Sequence, residues 1–288
     1  MKPLKFEIQK QSVINIDDTI NSGQVFLWEK IHDVWYGVNG LDVISCNEKS
    51  FQISSFAQNS LDFFREEDDF SKIIQSITRD RIVRKAVKQF PGLRLLRQEP
   101  FQCFISFIAS SNSNIQNIRR SLQSLCKKFG KKIVFEKKEF FLFPEPKILA
   151  KASNNELQNC GFGYRAKSIK EASLAVSTGQ INFDFLKKTN YENARDILLE
   201  VYGIGNKVAD CILLFSLDKL DAFPIDTWIL KILEKYYSDK FKIEGKSFTE
   251  KKYRQFHEKI VNHFGPYAGY SQQFLFKMER EINRKRWL

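Results

Sequence analysis

Apolar and polar positions come in short alternating bursts along the first part of the chain and then settle into a helical period. Before about residue 56, the runs Val25-Phe26-Leu27-Trp28, Val34-Trp35-Tyr36-Gly37-Val38 and Phe51-Gln52-Ile53 are rich in β-branched and aromatic side chains and are separated by Asn, Asp and Gly. Such runs with turn residues between them predict an antiparallel sheet. From about residue 58 the period lengthens. Ile115, Ile118, Leu122, Leu125, Cys126 and Phe129 form a stripe at helical spacing, and comparable stripes recur towards the C-terminus, so this part is predicted to be mostly helices. Pro144-Glu145-Pro146 breaks one pair of helices, and Lys132-Ile133-Val134-Phe135 is a short β-like interruption that does not mark a separate domain. No repeat at solenoid periods and no low-complexity linker is present. The predicted fold class is α+β, with an N-terminal antiparallel sheet domain and flanking helices over residues 1–90 and a helical domain over residues 91–288.

One segment stands apart. Around residues 192–217, two helical patterns flank the short hairpin Gly203-Ile204-Gly205, a predicted helix-hairpin-helix. The second helix places Val208, Cys211, Ile212 and Phe215 on one face. The glycines allow close backbone approach to another group, and the N–H groups at that helix start suit a phosphate, so the hairpin offers sequence-neutral binding of a DNA backbone.

Lys207 falls in the first turn of this helix, where the macrodipole disfavours a cation. With partial burial, that position would depress the lysine pKa and raise the fraction of neutral amine able to attack carbon. A surface lysine resting on phosphate is the other reading of the same residue. Asp226 follows Pro224-Ile225 and precedes an apolar helical pattern starting at Trp228. It is predicted to be the N-cap of that helix, and a carboxylate fixed there could also stabilise positive charge developing on a sugar. The two roles are compatible.

Charge adds a partner class. The 288 residues hold 46 Lys and Arg against 34 Asp and Glu, a formal charge of +12, which favours nucleic acid or another polyanion. Residues 1–90 hold 12 basic and 13 acidic side chains, leaving 34 against 21 beyond them, so the polyanion is expected to meet the later part of the chain. Abundant Lys, Asn, Ile and Phe also fit an adenine- and thymine-rich coding sequence, so charge is the weaker argument. Cys46, Cys103, Cys126, Cys160 and Cys211 are odd in number, widely spaced and never Cys-x-x-Cys, which argues against a disulfide framework or a zinc site and for a reducing compartment. The start, Met1-Lys2-Pro3-Leu4-Lys5-Phe6-Glu7, lacks the apolar core of a signal peptide, and no apolar run approaches the roughly 20 residues that span a bilayer. A soluble, intracellular protein is expected.

The hairpin Val201-Tyr202-Gly203-Ile204-Gly205-Asn206-Lys207-Val208-Ala209-Asp210, followed by Pro224-Ile225-Asp226, resembles the signature of helix-hairpin-helix base-excision glycosylases. Within that superfamily the chain is most similar to the 8-oxoguanine DNA glycosylase/lyase branch. Supporting stretches are Ser22-Gly23-Gln24-Val25-Phe26-Leu27-Trp28, the segment from Cys103 through Ser110-Ser111-Asn112-Ser113-Asn114-Ile115, Gly161-Phe162-Gly163-Tyr164-Arg165-Ala166-Lys167, and Gly265-Pro266-Tyr267-Ala268-Gly269-Tyr270-Ser271-Gln272.

The resemblance implies a helical domain in two lobes with the DNA cleft between them and Lys207 at its mouth. It implies double-stranded DNA containing oxidised guanine as partner, a monomer, and a place in the cytoplasm and nucleoid or in the nucleus. Lys207 would attack C1′ of a flipped nucleotide, with Asp226 ionised beside the sugar. The Gly23 carbonyl would accept from N7–H of 8-oxoguanine, Gln272 would read the Watson–Crick edge, and Phe276 and Cys211 would stack on opposite faces of the base. Asn112 and Tyr164 would fill and wedge the vacated space, and Arg165 would contact the widowed cytosine. Gly203 and Gly205 would present the DNA-binding hairpin. Cys211 and Phe276 also read as plain core residues.

Two departures stand out. A second cytosine-reading arginine is replaced by Asn117, with Arg119 and Arg120 just beyond, and a histidine two residues after the aspartate is replaced by Trp228. No cysteine follows Cys211, so the iron–sulfur cluster of other branches cannot be built. No cofactor and no catalytic metal are expected, although the hairpin carbonyls offer a place for a structural cation. The rival readings are a same-fold glycosylase for another damaged base and a non-catalytic helix-hairpin-helix DNA-binding protein. Membrane binding lacks the basic amphipathic stretch it would need.

Overall fold

The computed structural model describes residues 3–7, 14–58, 60–241 and 249–283; Met1-Lys2 at the chain start lies outside them. Five short strands form one antiparallel sheet: β1 (Leu4–Glu7), β2 (Trp28–Ile31), β3 (Val34–Asn39), β4 (Asp42–Asn47) and β5 (Gln52–Ser55), in the order β1-β5-β4-β3-β2. The predicted sheet is therefore present, with one local difference. Val25-Phe26-Leu27 is apolar enough for a strand, but pairing begins only at Trp28. The three residues follow a tight turn and are drawn into two different cores instead: Val25 joins the cluster around Trp35, while Phe26 packs edge-on against Phe107 at 5.7 Å.

Period-two alternation explains how the sheet is held. Tyr36, Val38 and Val43 lie in the main core, whereas Trp35, Ile44 and Cys46 face a second apolar cluster that includes Ile16, Ile20, Phe63 and Phe64. Both faces are covered, so the central strands β3 and β4 are buried nearly throughout. The β3–β4 turn is tied to the helical region, since Gln102 accepts from Gly40 N–H (2.7 Å) and donates to the Val38 carbonyl (2.7 Å).

Fourteen α-helices accompany the sheet among the described residues. They are α1 (Ile16–Ile20), α2 (Phe70–Ile77), α3 (Arg81–Gln89), α4 (Pro100–Ala109), α5 (Ile115–Phe129), α6 (Pro146–Lys151), α7 (Asn154–Leu157), α8 (Arg165–Ser177), α9 (Phe183–Lys188), α10 (Tyr191–Leu199), α11 (Asn206–Ser216), α12 (Thr227–Tyr237), α13 (Glu250–Phe264) and α14 (Ala268–Ile282). The β-like stretch at Lys132–Phe135 is a real strand, β6, paired with β7 (Lys138–Phe141). This hairpin packs back on the sheet through Phe140 on Tyr36 (5.8 Å) and Phe135 on Phe56 (5.1 Å).

Helix α4 is mostly apolar and is buried from Phe101 to Ala109, with α5, α8 and α11 packed about it. A second group joins α14 with α2, α3, α12 and α13. The segment 217–226 passes from one group to the other. It is fastened at its start by Asp218, which pairs with Arg65, Arg97 (2.8 Å) and Lys187 (2.9 Å). Burial alone would push the Asp218 carboxyl up, but these three cations outweigh it and hold the group well below the usual carboxylate range.

Candidate active site

Helix α10 ends at Leu199 and α11 starts at Asn206, so the predicted hairpin is in place. Its two glycines do different work. Gly203 has φ +85°, and a Cβ there would stand 2.1 Å from Ser168 Oγ, so this glycine serves the turn and its seat on α8. Gly205 is the N-cap of α11 with φ −102°, and a Cβ there would meet nothing within 4 Å. No side chain caps α11, so the N–H groups of its first turn remain for an acceptor from outside the helix.

A buried polar network underlies this turn. Arg195, only 1% exposed, binds Glu250 (2.6 Å) and the side-chain oxygen of Asn206, the first residue of α11. Asp210 accepts from Tyr191 (2.7 Å) and Tyr253, and His257 stacks on Tyr191 at 4.3 Å. Burial pushes the Asp210 carboxyl above its ordinary value against the opposing pull of His257, the two phenols and Arg195. Sequence reasoning missed this network. Its one signal was a carboxylate, Asp210, within an apolar helical run.

Lys207 lies in the first turn of α11 as predicted. Its Nζ donates to Ser110 Oγ (2.8 Å) and lies 5.3 Å from the Phe107 ring centroid, while the Ser110 hydroxyl donates to the Phe107 carbonyl (2.7 Å). The amine is thus held at the C-terminal end of α4. Asp226 is the N-cap of α12, and one carboxylate oxygen accepts from Trp228 N–H (2.9 Å) and Ile229 N–H (2.8 Å). The Cys211 thiol, one turn beyond Lys207, is 3% exposed; burial, helped by the Asp226 and Asp210 charges and opposed by that of Lys207, pushes it up to about 12.

The second group of candidates meets α14. Gly23 has φ +87°, and a Cβ there would lie 3.2 Å from Phe276 Cε1, 3.3 Å from Arg280 Nη1 and 3.9 Å from Ile115 Cδ1. Gln272 is 5% exposed, and its Nε2 reaches the Pro224 carbonyl only at 3.5 Å. Its Oε1 is buried without a partner among the described residues. An unpaired buried acceptor costs about 1–3 kcal/mol, so a ligand donor at this point would relieve a standing penalty.

The third group also converges. Asn112, at φ +48°, donates to Tyr164 Oη (3.3 Å), and Arg165 Nη1 donates to the Ser111 carbonyl (2.9 Å). Tyr164 is 66% exposed, and its phenol is drawn below its ordinary value by hydrogen bonds to Asn112 and Arg165. Asn117 is exposed on α5, and Arg119 Nε is buried without a partner among the described residues. Trp228 is half-buried, with Lys231 Nζ 4.7 Å from its ring centroid.

Short pieces of chain connect the groups. Ser110, Ser111 and Asn112 run from the Lys207 amine to the Tyr164–Arg165 pair. Pro224 and Asp226 put Gln272 next to the α12 start, and Ile115 ties the α5 start to Gly23. These contacts link the groups of predicted site residues around the starts of α11 and α12. Ser110, Gln24, Gln273 and Arg280, which also serve this region, were not anticipated as site residues.

The family described as "HhH-GPD superfamily base excision DNA repair protein" matches residues 105–259, and "8-oxoguanine DNA glycosylase, N-terminal domain" matches residues 5–104. The chain is 31% identical over 282 residues to the N-glycosylase/DNA lyase OGG1 of Arabidopsis thaliana, covering 91% of this chain and 76% of that protein. It is 32% identical over 209 residues to a probable N-glycosylase/DNA lyase of Methanothermobacter thermautotrophicus, covering 66% of this chain and 64% of that one, just under two thirds of the relative's length. Among solved structures it superposes with TM-score 0.83 at 26% identity, over 98% of this chain and 99% of the other, on the 8-oxoguanine glycosylase/lyase of Clostridium acetobutylicum in complex with double-stranded DNA containing cytosine opposite 8-oxoguanine. The chain belongs to the HhH-GPD superfamily of base excision DNA repair proteins and, within it, to the 8-oxoguanine DNA glycosylase family.

Proposed function

We propose that this protein is a bifunctional DNA glycosylase and abasic-site lyase that removes 8-oxoguanine from duplex DNA, acting as a monomer wherever the cell keeps its DNA. The observation that carries the reading is the placement of the Lys207 amine: on the uncapped first turn of α11, bonded to Ser110, two residues from the Asn112–Tyr164–Arg165 cluster.

In this reading the hairpin takes a backbone phosphate on the α11 N–H groups and the target nucleotide swings out of the stack. Asn112, Tyr164 and Arg165 occupy the gap and meet the orphaned base. Gly23 and Gln272 read the two edges of the flipped base, and Phe276 and Cys211 close on its faces. The lone pair of Lys207 Nζ forms a bond to C1′ while the glycosidic bond breaks, and the base leaves with the electron pair and takes up a proton. The positive charge that develops on the sugar is opposed by the Asp226 carboxylate, which its two backbone donors hold in place. Nitrogen then loses a proton, and its lone pair forms the C1′=N bond as the C1′–O4′ bond breaks and O4′ is protonated, which opens the sugar to an imine. Removal of a C2′ proton then expels the 3′ phosphate, which cleaves the strand.

The chemistry needs no cofactor, because the amine is the nucleophile and the electron sink is the imine it forms. Of the carboxylates lining the cleft beside the hairpin, Asp196 and Glu250 are paired with Arg254 and Arg195. Among the described residues no helix is long and apolar enough to cross a membrane.

Duplexes carrying 8-oxoguanine, an alkylated purine or undamaged guanine at one position test the substrate. Base release with strand cleavage on the first duplex alone is expected. Release only from the alkylated duplex would move the protein to another lesion, and tight binding without release from any would make it a binding module.

A further inference from the structure

The Gly23 turn is held by α14, and the way it is held assigns a role to residues outside the reacting set. Three of the four consecutive carbonyls from residue 21 to residue 24 accept from side chains of distant elements. Arg280 Nη1 donates to Asn21 O (3.0 Å), Gln273 Nε2 to Ser22 O (2.9 Å) and Gln98 Nε2 to Gln24 O (2.8 Å). The Gln24 amide is fully buried and pins the turn further, donating to Arg94 O (2.8 Å) and Thr19 O (3.2 Å) and accepting from Leu96 N–H (2.8 Å). Gly23 sits between these fixed peptides, and its carbonyl is the one in the run without a side-chain donor among the described residues.

Arg280 and Gln273 lie on the helix that also carries Gln272 and Phe276. Phe276 and Arg280 are four residues apart, on one face. Both come within 3.3 Å of the place a Gly23 Cβ would take, so the guanidinium packs on the turn as well as bonding to it.

We infer that Arg280, with Gln273, is a positioning residue for lesion recognition. By holding the 21–22 carbonyls it aims the Gly23 carbonyl at the oxidised edge of the flipped purine, at a fixed offset from Gln272 on the same helix. This rests on the proposed glycosylase function. The consequence is that one helix sets both readers of the base, the Watson–Crick edge directly and the oxidised edge through the turn it grips. A misaimed carbonyl weakens the distinction between a purine with N7–H and one with a bare N7 acceptor, while leaving the sugar chemistry to Lys207.

The test compares two substrates of the same enzyme: a duplex with 8-oxoguanine opposite cytosine, and a duplex with a preformed abasic site, which has no base to read. Arg280→Met removes the donors and keeps much of the apolar stem. It is expected to lower the ratio of 8-oxoguanine excision to abasic-site cleavage about 10- to 100-fold, the order of one charge-assisted hydrogen bond. Arg280→Lys, which retains a cationic donor, should recover part of that ratio, and Gln273→Leu should lower it in the same direction. An unchanged ratio in Arg280→Met, whether or not both activities fall together, would overturn the inference and leave Arg280 a purely structural residue. Wild-type enzyme that cleaves abasic sites but releases no 8-oxoguanine would overturn the proposed substrate itself, an outcome visible before any variant is made.

Discussion

Two helix starts face the proposed reaction, and they are built on opposite plans. Helix α11 begins at Gly205 with no side-chain cap and carries a lysine in its first turn. Helix α12 begins at Asp226, whose carboxylate takes the N–H groups of both Trp228 and Ile229. The first leaves its donors for a phosphate and places a cation where the dipole disfavours it; the second uses its donors to hold an anion in one orientation. A polar network, Arg195 to Asn206 and Asp210 to two tyrosines, supports the uncapped start from below through its side chains and leaves the first-turn N–H groups untaken. The contrast shows how one fold sets a nucleophile and a counter-charge with the same backbone element, by choosing which start is capped.

The sharpest way to break the contrast is to separate charge from cap at α12. Asp226→Asn retains a good N-cap, so thermal stability should stay near wild type while excision falls on the order of 10²- to 10³-fold, the scale of losing one fixed electrostatic stabiliser. Asp226→Ala should lose activity similarly and also about 1 kcal/mol of stability in a denaturant melt. An Asn variant as active as wild type would reduce Asp226 to a cap alone.

Next in size is Gly203→Ala. With φ at +85° and Ser168 Oγ 2.1 Å from the new Cβ, unfolding should become easier by about 1–3 kcal/mol. A neutral result would mean that the hairpin relaxes without cost and that its seat on α8 is unimportant.

Acid tests the link that feeds α12. Because the folded Asp218 carboxyl lies below its unfolded value, the stability it contributes is present above the unfolded pKa of about 3.9 and is lost as pH falls below it. Melting temperature followed from pH 6 downward should drop more steeply in wild type than in Asp218→Asn. Parallel curves would show that Arg65, Arg97 and Lys187 do not depend on this carboxylate.

The smallest effect is expected at Gly205→Ala, where a Cβ meets open space and φ is ordinary for any residue. Stability should change by less than about 1 kcal/mol, since alanine is a poorer N-cap than glycine but leaves the unfolded chain less entropy to lose. Affinity for undamaged duplex should nonetheless fall, because a Cβ at Gly205 projects into the open space beside the α11 N–H groups that the proposed function gives to a phosphate. Unaltered affinity would place the DNA backbone elsewhere.

What was legible in the sequence follows the range of the contacts. The places of Lys207 and Asp226 at helix starts and the hairpin between its two helices are set by local spacing, although the contact that holds the Lys207 amine, to Ser110, is distant in sequence. The β3 and β5 strands were readable from their β-branched and aromatic runs for the same reason. Val25-Phe26-Leu27 looked like a strand because apolar character reports burial, not pairing, and here two cores compete for the run. The grip on Gly23 joins residues 251 and 259 positions apart, Ser22 to Gln273 and Asn21 to Arg280. No pattern in either segment alone signals it. Arg195 and Asp210 were hidden differently, since charged residues on helices ordinarily read as surface and only the packed structure shows them buried.

The most direct measurement is borohydride trapping on a duplex containing one 8-oxoguanine opposite cytosine, with wild type, Lys207→Gln and an undamaged duplex in parallel. A covalent protein–DNA adduct that forms only with wild type and only on the damaged duplex is the expected result. An adduct of equal yield with Lys207→Gln, or base release by wild type with nothing trapped, would contradict the assignment of Lys207 as the nucleophile.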